Sequence, residues 1–86
     1  MTQGRTHNIT KILFDDWDPI GVGPYEKASE MGINDEYDEV VWSIMRSTDH
    51  SEMGIDAVLR RFESEIGLQG NSVARINAAK KIGALL

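Results

Sequence analysis

Three short stretches of this chain carry residue types that do chemistry in other proteins. Asp16-x-Asp18-x-x-Gly21 has the spacing of the first half of an EF-hand, in which alternate carboxylates and a sixth-position glycine wrap a calcium ion. Ile20 holds the fifth position and Lys27 the twelfth, so an alkyl chain and a cation stand where oxygen ligands are required. The calcium match fails. Ser47-Thr48-Asp49-His50-Ser51 gathers hydroxyl, carboxylate and imidazole groups within one segment. A nucleophilic triad needs those groups aimed at one another beside an oxyanion hole, which neighbours in an interhelical turn rarely achieve. Capping of a following helix by Ser51 explains the cluster without chemistry. Gly21-Val22-Gly23-Pro24 lacks the lysine and the full G-x-G-x-x-G spacing of a phosphate loop, so its glycines read as turn residues.

The remaining chemistry is charge. Residues 15 to 39 hold Asp15, Asp16, Asp18, Glu26, Glu30, Asp35, Glu36, Asp38 and Glu39 against Lys27 alone, so nearly all of the net charge of −5 originates there. Such a field repels phosphate backbones and argues against nucleic acid at that face. If the end of the first helix meets the start of the second, these carboxylates converge on a hard cation or a basic protein surface. Equally, Asp18 before Pro19 makes a natural Asx turn, and Asp35 and Glu36 satisfy helix-start amides. Trp42 lies off the apolar stripe of its helix, beside Asp38 and Arg46, where an exposed indole would anchor an interface. The opposing expectation is that the first helix or the loop covers it, with Tyr25 and Met31 as the cover. Arg60, Arg61, Arg75, Lys80 and Lys81 form a basic counter-face that Asp56, Glu63 and Glu65 dilute, and it reads as a solvated surface.

At 86 residues the chain has the length of one domain, and a domain this small leaves little room for an enclosed active site. Residues 1–6 are expected to be flexible. The absence of cysteine excludes disulfides, thiolate zinc sites and thiol nucleophiles, and His7 and His50 are too few for a structural zinc. No catalytic residue, metal ligand or cofactor is assigned. No apolar run approaches the roughly 18 residues of a membrane span, and the N-terminus lacks a secretory h-region, so the expected location is cytoplasmic, with no membrane partner.

The elements that must position these groups are helices. Ile9, Ile12, Leu13 and Trp17 recur at helical spacing until Asp18-Pro19, which predicts a first helix over about 8–17. Both prolines and several glycines follow, predicting a long loop over 18–33 with at most one helical turn. Asn34 or Asp35 is placed to cap a second helix over 35–47, with Ile33, Tyr37, Val40, Val41, Ile44 and Met45 on one face. Ser51 caps a third over 52–66, whose stripe is Ile55, Val58, Leu59, Phe62 and Ile66, and Gly67-Leu68 stops it. Asn71 caps a fourth over 72–85, carrying Val73, Ile76, Ala79, Ile82 and Gly83 inward. The expectation is all-α: a compact bundle of four helices, the last three forming the core and the first packed across them.

Trp17-Asp-Pro-Ile-Gly-Val22 after the first helix and Asp35-Glu-Tyr-Asp38 at the start of the second resemble small bacterial protein families classed as domains of unknown function. The resemblance continues through Ser51-x-x-x-Ile55 and Ile66-Gly-Leu68, and departs at Gly54, where an acid would complete a capping box, and at Trp42, where proline is usual. It implies a bacterial cytosolic protein and transfers no activity. The expected function is a noncatalytic interaction module, of which an immunity or antitoxin-like protein is one instance. Its acidic face, comprising Asp15, Asp16, Asp18, Asp35, Glu36, Asp38, Glu39 and Trp42, would dock a basic protein. The alternative is a divalent-cation-binding protein or small metal-dependent enzyme using the same carboxylates. The chain is expected to be a monomer or a weak homo-oligomer.

Overall fold

The computed structural model describes residues 2–68 and 70–86; Met1, in the expected flexible tail, and Gln69, in the link before the last helix, lie outside them. Among the described residues all regular structure is helical. There are five α-helices rather than four: α1 (Thr2–Ile12), α2 (Tyr25–Glu30), α3 (Asp38–Arg46), α4 (Glu52–Glu65) and α5 (Ser72–Leu85).

α1 starts well before residue 8 and runs directly into a π turn, Leu13–Trp17. The wide turn closes with the Asp18 N–H donating to the Leu13 carbonyl at 2.8 Å, and Asp18 then takes a left-handed conformation with φ 36°. Pro19 stands next, so the helix ends where the sequence places its end.

The long loop expected over 18–33 is corrected by α2. Six residues are too few for hydrophobic periodicity to reveal, and the cap is not local. The Tyr25 N–H donates to the Asp15 carboxylate at 2.8 Å, so a side chain ten residues upstream supplies the helix-start acceptor. Ala28 on this helix is fully buried. The helix stops at Gly32, whose φ of +74° lets Ile33 N–H reach the Ala28 carbonyl at 2.9 Å.

The second expected helix begins three residues late, and neither Asn34 nor Asp35 caps it. Its N-cap is Tyr37, with no side-chain cap hydrogen bond, and tight turns occupy the preceding residues through Glu36 N–H to Ile33 and Asp38 N–H to Asp35. Burial of the Tyr37 ring sets this start. α4 and α5 agree with their sequence boundaries, because their signals are local. Ser51 Oγ accepts from Gly54 N–H at 3.1 Å, and Asn71 Oδ1 accepts from Val73 and Ala74 N–H at 2.9 and 3.1 Å. Gly67, at φ +71°, ends α4 with Leu68 N–H bonded to the Glu63 carbonyl.

The arrangement also differs from expectation. α4 and α5 form a helical hairpin, the π turn lies against α5, and α1 touches both α5 and α3. The first helix and its π turn thus reach both α3 and α5, and Ile9, Leu13, Phe14 and Trp17 bring a bulky group of side chains into the core. Tyr37 lies at the middle, its ring centroid 4.7 Å from Phe14, 5.3 Å from Trp17 and 5.9 Å from Phe62. The inward face of α5 is Ala78, Ala79 and Ile82, whereas Val73 and Ile76 are exposed. The helix is turned so that Arg75 points inward instead, onto Asp56 and Glu63.

Candidate functional site

The structure divides the acidic residues into two groups with different work. Those of the first helix end are engaged within the fold. Asp18 accepts Val22 N–H at 3.0 Å and Gly23 N–H at 2.7 Å on its two oxygens, and Oδ1 also accepts the Tyr37 hydroxyl at 2.8 Å. It organises the glycine-rich turn, with both oxygens engaged in hydrogen bonds within the fold. Asp15 holds the start of α2. Asp16 pairs with Lys81 of α5 at 2.8 Å. The three carboxylates are each bonded to a different partner, and among the described residues no group of three or more histidines and acids is placed to hold a metal ion.

The second group lines a groove of about 540 Å³ between α1 and α3. His7 and Tyr25 form one wall, their rings 5.3 Å apart and edge to face. Asp35, Asp38 and Trp42 form the other. The turn before α3 brings Asp35 beside Asp38, and one helical turn further Trp42 stands next to Asp38 on the same face. Trp42 is 62% exposed, so neither the first helix, nor Tyr25, nor Met31 covers it. Among the described residues no cation pairs with Asp35, Asp38 or Glu39. Asp38 is exposed, yet slight desolvation by its neighbours, together with the negative charge of Asp35, raises its carboxyl above the ordinary range. Its charged form is held at a cost that a neighbouring cation would relieve.

Glu36 is exposed and does not line the groove; its charge, with burial and the Asp18 hydrogen bond as the larger causes, contributes to keeping the Tyr37 hydroxyl protonated. Glu39 does not line this groove but borders an adjoining depression with Trp42, Ser43 and Arg46. The eight acidic and aromatic positions expected to form one face thus split, with Asp35, Asp38 and Trp42 brought together and the first-helix acids turned to structural use.

The Ser47–Ser51 segment acts as a turn. The Ser47 hydroxyl exchanges hydrogen bonds with the backbone of Asp49, the Asp49 carboxylate accepts Ser51 N–H at 3.0 Å, and His50 Nε2 meets the Ile44 carbonyl at 2.9 Å. Bonding to the Ser51 side chain and backbone lowers the Asp49 carboxyl below its ordinary range. Hydroxyl, carboxylate and imidazole each address a different partner, so no proton relay connects them.

Two features went unread in the sequence. Glu63, expected on a solvated surface, is buried: Oε2 accepts Trp17 Nε1–H at 2.8 Å and Oε1 accepts from Arg75 at 2.9 Å, while Arg75 Nε reaches Asp56 at 2.7 Å. His7 and Tyr25 were absent from the expected partner face, although His7, one turn before Lys11, lies on the exposed side of α1. A helix start placed at residue 8 concealed it. No protein-family model, curated protein or solved structure matches this chain.

Proposed function

We propose that this chain is a noncatalytic protein-interaction module that docks a basic protein partner through the groove between α1 and α3. The observation that carries the reading is the exposed Trp42 indole standing beside Asp35 and Asp38, two acids that form no ion pair among the described residues. An exposed tryptophan supplies the desolvated anchor that dominates binding energy at interfaces, and unpaired carboxylates around it supply charge steering. Docking is favoured over the cation-dependent alternative because Asp15, Asp16 and Asp18 are already bonded to separate partners within the fold, and among the described residues no three acids or histidines are grouped to hold a metal ion. A cytoplasmic antitoxin or immunity-like role, neutralising a basic enzyme, belongs to the same proposal.

The test is a titration of isotope-labelled protein with a mixed Lys/Arg amphipathic peptide, followed by amide shifts. The expected shifts centre on residues 35–42, and binding weakens at least tenfold between about 50 and 500 mM salt as exposed charges are screened. Shifts scattered over the surface, or binding indifferent to salt, would overturn the proposal.

A further inference from the structure

We infer that the groove between α1 and α3 receives an arginine side chain of the partner, its guanidinium stacked on the Trp42 indole and held by the Asp35 and Asp38 carboxylates. This rests on the docking role proposed above and names the group that the groove recognises.

Acidity alone would accept any cation, and the walls of the groove narrow the choice. Besides the two carboxylates, the lining includes the Tyr25 ring, Val41 and the exposed face of Trp42, so a side chain lying in it meets aromatic and alkyl surface as well as charge. An ammonium is compact and strongly hydrated, and gives up that water at high cost. A guanidinium is planar, delocalised and weakly hydrated, stacks on aromatic faces and bonds carboxylates through two parallel N–H groups. It matches both kinds of wall together. A hard metal ion matches neither aromatic wall, and no three acidic or histidine side chains converge on one among the described residues.

The walls are also held in place before any ligand arrives. The Tyr25 ring is set edge to face against His7 and again against Phe14, whose centroid is 5.9 Å away. Tyr25 N–H is fixed by Asp15, and Trp42 projects from a helix anchored by the buried Val40 and Ile44. A preformed slot of this kind avoids the ordering cost that weakens single-side-chain recognition.

The experiment compares two peptides of identical sequence, one with only arginine and the other with only lysine as its cations, by the same amide-shift titration, with acetyl-arginine amide and acetyl-lysine amide as minimal probes. The expected result is an arginine preference of about fivefold or more, the scale of a cation–π contact on tryptophan, with shifts at His7, Tyr25, Asp38 and the Trp42 indole N–H. Trp42→Ala should abolish the preference and Trp42→Phe should retain part of it, with circular dichroism and Trp17 fluorescence confirming the fold. Equal binding of both peptides at this groove would overturn the arginine assignment and leave the docking role standing. Failure of both peptides to bind there would overturn the two together. An arginine preference that persists in Trp42→Ala would also overturn the assignment.

Discussion

The Tyr37 hydroxyl donates a 2.8 Å hydrogen bond to Asp18 Oδ1, and through it the turn after the first helix is tied to the turn before α3. The same oxygen of Tyr37 accepts Ile20 N–H at 3.3 Å, while Asp18 gathers Val22 and Gly23 N–H. One carboxylate and one phenol thus fix the segment that carries Tyr25 into the groove wall and the helix start that carries Asp38 and Trp42.

Asp18→Asn should destabilise the protein by about 1–3 kcal/mol, because an amide NH₂ would face backbone donors where a carboxylate oxygen now accepts them. Asparagine tolerates the left-handed backbone at this position, so the loss reports hydrogen bonding rather than strain. Tyr37→Phe should cost about 1 kcal/mol. Urea unfolding measures both, and a neutral Asp18→Asn would show that the turn holds without its carboxylate.

Burial, reinforced by the Asp18 hydrogen bond, pushes the Tyr37 hydroxyl well above its ordinary value. The folded state therefore retains this proton at a pH where the unfolded chain has released it. The stability that results is complete below about pH 10 and declines as the pH rises beyond it. Chemical denaturation across the alkaline range should show a steeper decline in the natural protein than in Tyr37→Phe. Parallel slopes would argue against a buried, protonated Tyr37.

Asp38 gives the opposite mutational sign. Its carboxyl is raised, so its contribution is favourable only while protonated and becomes unfavourable as the pH climbs through its folded value. Asp38→Asn should raise Tm at pH 7, and the gain should shrink as acidification protonates Asp38 in the natural protein. The same substitution should weaken binding of the basic peptide. Gain of stability with loss of binding is the signature of a residue kept for a partner.

Arg75→Ala should destabilise by about 3–5 kcal/mol, since it leaves the buried Glu63 charge without its cation. The double variant Glu63→Gln, Arg75→Ala should recover part of that loss, because the glutamine oxygen still accepts from Trp17 and only Asp56, which is less buried than Glu63, is left without its cation. A strictly additive double variant would mean that the pair is not coupled.

Two helical glycines should respond in opposite directions to alanine. Gly4 has open space around it, and Gly4→Ala should stabilise by about 0.5–1 kcal/mol through helix propensity. At Gly54 a methyl group would come within 2.5 Å of the Asp49 backbone oxygen, so Gly54→Ala should destabilise despite the same propensity gain. Thermal melts of the two variants decide the matter, and stabilisation by both would show that the turn before α4 yields easily.

The crowding at Gly54 also explains why this chain lacks the acid that would complete a capping box after Ser51. An L side chain at that position meets Asp49, which is itself bonded to Ser51 N–H. The sequence shows the missing acid, and only the packed turn shows the reason.

What the sequence determined by itself was whatever rests on neighbours along the chain. The all-helical class, the limits of α4 and α5 and their Ser51, Asn71 and Gly67 signals follow from contacts within a few residues. The stop of the first helix at Trp17 and the outward setting of Trp42 follow from the same local rules of proline and of helical periodicity. The tertiary structure decided whatever depends on partners distant in sequence. α2 is capped by Asp15, the start of α3 is set by a buried Tyr37 bonded to Asp18, and Glu63 is buried because Trp17 and Arg75 reach it from other helices. A carboxylate looks the same in a sequence whether it faces water or a buried donor. Its surroundings are fixed only when segments tens of residues apart pack together, and that packing engaged Asp15, Asp16 and Asp18 in contacts within the fold and left Asp35 and Asp38 beside an open indole.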